Sequence, residues 1–383
     1  MRTDIKPATM LLSIFAGFAL ATTVGGCAKV AFEKMPAPDC QGSNVSCIRA
    51  NGVDQFDYTI DAPRAAADIL FVVDNSASMS PVQHEIANRF PSLLSSLDTL
   101  DYQIAITTTD ISGSQNPPRS INQSGALQDG KLIGFSSGAK FLTRSTPNKE
   151  SLFSSTIQRQ ETLTCENYLI YQCPQGGCPD YNNYCPSPDT RAIYAAGMSV
   201  DRSESGLFRP NVPLSIVIIS NADERAMGGR IAGYNQLEQN DQPETLVAKV
   251  QQKFSSNKSL SVHSIIIRPG DQSCYDSQRS QGSLLFGWFG EIYAELSQLT
   301  NGIVGNICEP DYGLQLGEIG HSVVDQVASV DLPCRPVDDQ IQIEMNPANN
   351  IQYQLLEPSY QKVQFERAVP AGTKIRLKFE CSI

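Results

Sequence analysis

The feature that most constrains the fold of this chain is an alternation of apolar runs and amphipathic segments over residues 67–330. Uninterrupted apolar runs stand at ADILFVVD, DYQIAITTTD, PLSIVIIS and SLSVHSIIIRP, and such runs are typical of strands buried on both faces. Segments with helical periodicity, such as HEIANRFPSLLSSL and ETLVAKVQQKF, separate the runs. This alternation predicts the α/β fold class, with a doubly wound, mostly parallel sheet that is covered by helices on both faces.

The sequence changes character after Cys334. QIQIEM, KVQFERAV and KIRLKFECSI alternate apolar and polar residues, which is typical of antiparallel strands with one exposed face. We therefore expect an α/β domain at residues 64–331, followed by a small C-terminal antiparallel β module at residues 332–383.

The first 26 residues have the pattern of a secretory signal. Arg2 and Lys6 precede the stretch MLLSIFAGFALATTV, which is too short for a comfortable membrane span, although an N-terminal membrane anchor is the alternative. Val24-Gly25-Gly26-Cys27 resembles the lipobox of bacterial lipoproteins, which implies cleavage before Cys27 and lipidation of that cysteine. Ala28 follows instead of Asp, so the resemblance implies attachment to the outer membrane, on its periplasmic or its surface-exposed side.

Residues 27–63 are polar and are interrupted by Pro36, Pro38, Gly42 and Gly52. Proline and glycine at this density are typical of a linker without regular structure. We expect this segment to be a tether between the lipid and the α/β domain.

Ten of the eleven cysteines remain once Cys27 is assigned to the lipid. An even number in an oxidising compartment predicts disulfides, for which we expect Cys40 with Cys47, Cys274 with Cys308, and Cys334 with Cys381. Cys165, Cys173, Cys178 and Cys185 lie in an insertion at about residues 161–188, and their three connectivities stay open. Zinc is disfavoured there because no histidine lies near these cysteines.

Charge excludes one class of partner. The chain has 383 residues and a formal net charge of -11, and its Lys and Arg residues form no cluster. Binding to nucleic acid requires clustered positive charge, so we expect no nucleic-acid partner.

Three side chains with oxygen atoms follow the first apolar run. Asp74, Ser76 and Ser78 occupy alternate positions in DNSAS, just before a predicted helix. In an open α/β sheet, ligands bind at the carboxyl ends of the strands, and one carboxylate with two hydroxyls suits a hard cation such as Mg²⁺. The alternative is a turn with a serine-rich helix cap, since Asp, Asn and Ser favour such positions.

In this context DNSAS resembles the metal-ion-dependent adhesion site of von Willebrand factor type A (vWA) domains. The resemblance covers about residues 65–330, and FVVDNSASMS, FRPNVPLSIVIISNADE and NICEPDYGLQL together are similar to secreted bacterial vWA lipoproteins. It implies a Rossmann-like fold and Mg²⁺ as cofactor, with Mn²⁺ or Ca²⁺ as alternatives.

The resemblance implies further ligands from two later loops. The family's Thr-Asp pair falls on Ser220 and Asn221, so an asparagine stands where the family has an aspartate. Asp223 is expected to take over that role or to bind through water. The family's loop hydroxyl falls on Ser187, with Thr162 as the second choice. The expected metal ligands are Asp74, Ser76, Ser78, Ser187, Asn221 and Asp223.

The resemblance implies a binding protein whose cation accepts a Glu or Asp side chain of a protein partner, in adhesion or in an envelope interaction. The alternative is a structural envelope protein with a degenerate, metal-independent vWA domain, because Asn221 removes a charge from the site. An enzyme is not expected. His84, His263 and His321 are scattered over separate elements, and phosphate-binding motifs are absent from the sequence.

The insertion is rich in tyrosine, at Tyr168, Tyr171, Tyr181 and Tyr184. Aromatic side chains on a disulfide-braced loop suit the recognition of a partner, and packing of the loop on itself is the alternative.

Overall fold

The computed structural model describes residues 47–50, 52–62, 65–114, 128–173, 177–202, 206–210, 212–226, 235–254, 258–280, 287–356, 359–370 and 372–382. The expected signal peptide, the lipidation residue Cys27 and the half-cystine Cys40 lie outside these residues. No helix in the described ranges is both long enough and apolar enough to cross a membrane.

Strands and helices alternate through most of the described chain. The strands are β1 (Cys47–Ala50), β2 (Val53–Asp61), β3 (Ala66–Val73), β4 (Asp101–Thr108), β5 (Leu142–Thr143), β6 (Leu214–Ile219), β7 (Leu260–Ile266), β8 (Val304–Asn306), β9 (Ser329–Asp331), β10 (Pro336–Asn346), β11 (Tyr353–Leu355), β12 (Lys362–Phe365) and β13 (Lys374–Ser382). The α-helices are α1 (Ser80–Ser96), α2 (Lys149–Ile157), α3 (Gln160–Tyr171), α4 (Tyr181–Tyr184), α5 (Ala192–Arg202), α6 (Pro243–Phe254), α7 (Gln272–Ser280), α8 (Glu291–Leu299) and α9 (Tyr312–Val327). Two 3₁₀ helices span Ala77–Met79 and Gln239–Asp241.

Six strands form the central sheet, in the order β5-β4-β3-β6-β7-β8. The pairs β3–β4, β3–β6, β6–β7 and β7–β8 are parallel, and only the two-residue edge strand β5 is antiparallel to its neighbour β4. The chain adds strands outward from β3 on one side and then from β6 on the other, so the strand order reverses between β3 and β6. The expected doubly wound, mostly parallel α/β architecture is confirmed.

β3 is buried along its whole length, and its side chains separate two apolar cores. Ile69, Phe71 and Val73 pack in a cluster with residues of α1, α2 and α9. Leu70 and Val72 pack in a second cluster, with residues of α5, α6 and α8. Successive side chains of a strand point to opposite faces of the sheet. Burial on both faces therefore explains why the sequence of this strand is apolar without alternation.

The antiparallel module is larger than expected, because it includes residues that were predicted to belong to the tether. A four-stranded sheet, β1-β2-β13-β10, lies beside a three-stranded sheet, β11-β12-β9. Residues 53–61 were expected to belong to the tether, but they form β2, which pairs with β13 along its length. Phe56 of β2 stacks on Phe379 of β13 with ring centroids 5.0 Å apart. Alternating Phe56, Tyr58 and Ile60 give this strand one apolar face, and that face packs into the core of the module.

Four disulfides join described cysteines. Within the insertion, Cys165 is bonded to Cys185 and Cys173 to Cys178, with Cα–Cα distances of 4.5 and 4.9 Å. Of the three connectivities left open by the sequence, this is the nested one. Cys274 is bonded to Cys308 and Cys334 to Cys381, as named above. Cys47 is also disulfide-bonded.

Candidate metal centre

Asp74 lies at the point where the strand order of the central sheet reverses. It follows the last residue of β3, and its backbone N–H donates to the carbonyl oxygen of Ile219, the last residue of the neighbouring strand β6 (2.9 Å). The helices that follow these strands pack into different apolar clusters, α1 into one and α6 into the other, so the two loops leave the sheet toward opposite faces. In doubly wound sheets such a divergence opens a crevice at the carboxyl ends of the strands. Ligands of doubly wound sheets bind in such a crevice.

The carboxylate of Asp74 is buried and accepts hydrogen bonds from neutral donors. Oδ1 accepts from the backbone N–H of Ser76 (2.8 Å), and Oδ2 accepts from the hydroxyl of Ser220 (2.6 Å). Burial raises the pKa of the Asp74 carboxyl above its usual range, and the hydrogen bonds from Ser220 and Ser76 oppose that rise. None of the described ion pairs involves this carboxylate, and a buried carboxylate without a nearby cation is costly, which makes this group a natural charged ligand.

Three neutral oxygen atoms continue the cluster from Asp74. The hydroxyl of Ser76, whose backbone N–H donates to the Asp74 carboxylate, lies 3.3 Å from the hydroxyl of Ser78. The Ser78 hydroxyl in turn donates to Oδ1 of Asn221 (3.2 Å). We call Asp74, Ser76, Ser78 and Asn221 the candidate metal centre.

The spacing of these oxygen atoms fits a small cation. Mg²⁺ binds oxygen at about 2.0–2.1 Å in an octahedron, whose neighbouring corners are therefore about 3 Å apart. The separations of 3.3 and 3.2 Å along Ser76, Ser78 and Asn221 are close to that value. No group of three or more His, Cys, Asp or Glu side chains within the described ranges is arranged to hold a metal. The candidate metal centre differs from such a group because one carboxylate stands among hydroxyl and amide oxygens.

A neighbouring helix fixes the orientation of the Asn221 amide. The Nδ2 group of Asn221 donates to Oε1 of Gln278 in α7 (3.2 Å), which directs its Oδ1 toward Ser78. The disulfide between Cys274 and Cys308 attaches α7 to the segment after β8. The backbone carbonyl of Asn221 accepts from the N–H of Trp288 (2.9 Å). Asn221 is thus held from both its side chain and its backbone.

Gln83 and Thr162 hold the loop rather than supply a ligand. Gln83 of α1 donates to the carbonyl oxygen of Asp74 (2.9 Å) and to the hydroxyl of Thr162 (3.0 Å). Thr162, the second choice for the loop hydroxyl, donates to the carbonyl oxygen of Asn75 (2.8 Å). The structure therefore places Thr162 behind the backbone of the DNSAS loop.

Ser187 lies at the end of the adjacent strand β4. Its backbone N–H donates to Oδ2 of Asp110 (2.8 Å), and its hydroxyl accepts from the N–H of Asp189 (3.1 Å). Oδ1 of Asp110 accepts from the backbone N–H of Ser112 (2.9 Å). The described contacts of Ser187 thus connect it to Asp110 and not to Asp74.

Asp223 caps a helix, and the described contacts do not bring it to the candidate metal centre. Its carboxylate oxygens accept from the N–H groups of Ile292 (3.2 Å) and Tyr293 (3.4 Å) at the start of α8. Burial raises its pKa to about 7, against the effect of these hydrogen bonds. The next residue, Glu224, accepts in the same way from Ile193 (2.9 Å) and Tyr194 (3.3 Å) at the start of α5. Asn221 is therefore the residue that the loop after β6 contributes.

Gln83 and Gln278 were not predicted from the sequence, and the roles of the tyrosines were left open. Neither glutamine belongs to a recognisable sequence motif. Each lies on a helix that packs against the site, so its role there depends on the fold. Of the tyrosines, Tyr168 stacks on Tyr184 with ring centroids 4.7 Å apart, so these two pack within the insertion. Tyr171 is 79% exposed.

No model of a protein family matches the chain, and no curated protein matches it in sequence. A von Willebrand factor type A structure from Catenulispora acidiphila is similar at 11% identity and a TM-score of 0.33, over 88% of this chain and 67% of that one. The pilus adhesin RrgA of Streptococcus pneumoniae is similar at 8% identity and a TM-score of 0.33, over 88% of this chain and 60% of the adhesin.

The pilus adhesin SpaC of Lactobacillus rhamnosus GG is similar at 8% identity and a TM-score of 0.29, over 90% of this chain and 45% of the adhesin. The chain thus spans between 45% and 67% of the lengths of these three structures. TM-scores near 0.3 assign neither a fold nor a function, and the fold class rests on the strand order and layers given above.

Proposed function

We propose that this chain is a metal-dependent binding protein rather than an enzyme. In this proposal the candidate metal centre holds a divalent cation, and a protein partner binds by offering a Glu or Asp side chain to it. The observation that supports the proposal is the gathering of the Asp74 carboxylate with the oxygens of Ser76, Ser78 and Asn221 at the switch point of the sheet. This donor set suits Mg²⁺, with Mn²⁺ or Ca²⁺ as alternatives.

The charge of the centre favours an acidic partner. Asp74 is the charged ligand in this set, and the two hydroxyls and the amide of Asn221 are neutral. A divalent cation supplies an open coordination position for the partner's carboxylate when it is bound. One protein carboxylate leaves part of the positive charge uncompensated, so a second carboxylate is attracted to it.

The candidate metal centre and the β module lie at opposite ends of β3, which suits display of the centre away from an anchor. β2 ends at Asp61 and β3 begins at Ala66, so the β module joins the N-terminal end of β3. The centre follows the other end of this eight-residue strand, a separation of about 26 Å at 3.3 Å per residue. We propose that lipid on Cys27 attaches the chain to the outer membrane, on its periplasmic or surface-exposed side, and that the centre lies at the far end of the strand.

The anchoring proposal has its own test. Cys27→Ser should leave an unprocessed precursor or a soluble protein in cell fractionation. Normal cleavage of that variant, with the product still in the outer-membrane fraction, would contradict the proposal.

A metal-independent structural role in the envelope is the second candidate. It is favoured by the hydrogen bonds that link the site: Ser220 and the backbone N–H of Ser76 donate to Asp74, and the hydroxyls of Ser76 and Ser78 connect the loop to Asn221. In this role the DNSAS loop is a serine-rich helix cap that fixes the start of α1.

Capture of partners separates the two candidates. The purified full chain is immobilised and incubated with envelope or host-cell extract in Mg²⁺ or in EDTA, beside Asp74→Ala and the control Asp98→Ala. Asp98 is 79% exposed and precedes β4, at the opposite end of the sheet. We expect partners that are retained in Mg²⁺ and lost in EDTA and in Asp74→Ala. If the same partners are retained in EDTA and by Asp74→Ala, the result supports the structural role instead.

A further inference from the structure

Helix α3 concentrates exposed apolar side chains on one face. Among the described residues six large hydrophobic side chains are exposed, and three of them lie on this helix: Leu163 at 37%, Ile170 at 46% and Tyr171 at 79%. They stand at positions i, i+7 and i+8, which places them on one side of a helix along about 12 Å of its axis. Cys165 and Tyr168, on the opposite side, are buried.

The same helix is fixed against the DNSAS loop. Its buried residues Cys165 and Tyr168 pack with Ala77 of that loop and with Cys185 in one apolar cluster. The disulfides of the insertion brace the helix, and Thr162 hydrogen-bonds to the backbone of Asn75. The exposed face of α3 therefore has a fixed position beside Ser76 and Ser78.

A groove borders this face on the side of α1. A cavity of about 320 Å³ lies between the first turns of α1 and the start of α3, and Pro81, His84, Glu85 and Leu163 are among the residues that line it. Gln83 also lines the cavity, and it donates to the carbonyl oxygen of Asp74. Leu163 thus belongs both to the groove and to the apolar face.

The exposed charges of the insertion and the groove are acidic. Residues 160–190 contain no Lys or Arg, whereas they contain Glu161, Glu166, Asp180 and Asp189. Glu161 and Asp189 are buried and paired with Arg159 and Arg225. Asp180 is exposed, Glu166 is half-buried, and the groove adds Glu85. A surface complementary to this one carries apolar side chains together with Lys or Arg.

We propose that the outward face of α3 and the adjoining groove form the second half of the partner-binding surface. The occupant is a protein segment whose carboxylate reaches the candidate metal centre and whose neighbouring apolar and basic side chains cover Leu163, Ile170 and Tyr171. This inference rests on the proposed function, and it adds the chemistry of the partner beyond its carboxylate. Aromatic and aliphatic anchors of this kind carry much of the affinity at protein interfaces.

A display library of random linear peptides, selected on the full chain in Mg²⁺, supplies the probe. We expect the enriched peptides to combine a Glu or Asp with apolar residues and a Lys or Arg. One synthesised peptide is then titrated against Leu163→Ser/Ile170→Ser/Tyr171→Ser, against Tyr171→Gln alone, and against the control Ile48→Ser. Ile48 is 69% exposed in β1, within the β module.

The triple variant should bind the peptide at least about tenfold more weakly, and Tyr171→Gln about threefold more weakly, while Ile48→Ser binds as the wild type does. The affinity of the triple variant for Mg²⁺ alone should stay unchanged. Peptide affinity that is unchanged in both α3 variants overturns the inference. So does a wild type that self-associates or binds lipid vesicles through this face, with loss of that property in the triple variant.

Asp74→Ala separates this inference from the proposed function. If Asp74→Ala abolishes peptide binding and the α3 variants do not weaken it, the surface is wrong and the metal-dependent function stands. If the α3 variants weaken binding and Asp74→Ala does not, the surface stands and the metal-dependent function is wrong.

Discussion

Two buried aspartates stand near the two ends of β3, and their carboxylates meet different kinds of partner. Asp68, near the beginning of the strand, is paired with Nζ of Lys258 (3.0 Å) and Nε of Arg209 (2.7 Å). Asp74, just after the end of the strand, accepts from a serine hydroxyl and a backbone amide instead. Burial raises the pKa of both carboxyls, but only at Asp68 do a lysine and an arginine oppose that rise.

The difference shows which end of the strand is structural. A buried charge that is paired by the protein's own cations is complete, and it joins β3 to the segments that carry Arg209 and Lys258. A buried carboxylate that meets neutral donors still lacks a counter-charge, and a cation from solution can supply it. We therefore interpret the Asp68 pair as part of the scaffold and Asp74 as part of a binding site.

The largest effect is expected at the structural end. Asp68→Asn should lower the free energy of unfolding by about 3–5 kcal/mol, because it leaves the buried ammonium of Lys258 without its carboxylate. The measurement is urea unfolding in EDTA. The same substitution at the other end, Asp74→Asn, should cost less than about 1 kcal/mol in that buffer, since it keeps the shape and removes an uncompensated charge.

Two further variants serve as controls for the difference in stability between Asp68→Asn and Asp74→Asn. Asp68→Asn/Lys258→Met should recover part of the lost stability, because the unpaired buried charge is then gone. Lys374→Ala breaks an ion pair whose members are 61% and 80% exposed, and it should have little effect. Equal losses for Asp68→Asn and Asp74→Asn in EDTA would contradict the distinction between the two ends.

A second carboxylate at the Asp74 end of β3 should strengthen metal binding and lower stability in the absence of metal. Asn221→Asp places a negative charge next to Ser78 and should tighten Mg²⁺ binding by on the order of 1–4 kcal/mol, depending on the effective dielectric. The same variant should be less stable than the wild type in EDTA, because two carboxylates then share the crevice. Calorimetric titration and thermal unfolding measure the two effects. Asn183→Asp, which adds an exposed charge in α4, is the matched control. An equal gain in Mg²⁺ affinity in that variant would show that the effect does not come from a charge placed at the site.

The smallest effect is expected from the residue that orients Asn221. Gln278→Leu removes the acceptor of the Asn221 amide and should weaken Mg²⁺ binding by about 1 kcal/mol, roughly fivefold. Gln272→Leu, an exposed change in the same helix, should leave the affinity unaltered. Identical titrations for these two variants and the wild type would show that Asn221 does not depend on Gln278.

The sequence predicted the central sheet well because its strands are buried on both faces. The run ILFVV in β3 is uninterrupted for that reason, and the helices beside it have the usual periodicity. β2 was missed because Asp, Gln and Thr stand between its apolar residues and because its partner β13 lies more than 300 residues further along the chain. Pairing at such a distance leaves no local signal, and the glycine and proline before it favoured a tether.

The part of the candidate site that lies within one short segment was predictable from the sequence. The residues that distant helices bring to the site were not. Asp74, Ser76 and Ser78 lie within five residues, and Asn221 follows the strand next to theirs. Asp223 was expected there as well, but amide groups at the start of α8 meet its carboxylate, which only the packed structure reveals. Gln83 and Gln278 come from helices whose position depends on the whole fold.

The metal centre at Asp74 is tested by calorimetric titration of Mg²⁺ into the purified full chain, with Asp74→Asn titrated beside it. We expect saturable binding at millimolar or lower Mg²⁺ in the wild type, loss of binding in EDTA, and no binding in Asp74→Asn even though that variant stays folded. Binding that is absent from the wild type at millimolar Mg²⁺, or that persists unchanged in Asp74→Asn, would contradict a metal centre at this end of β3.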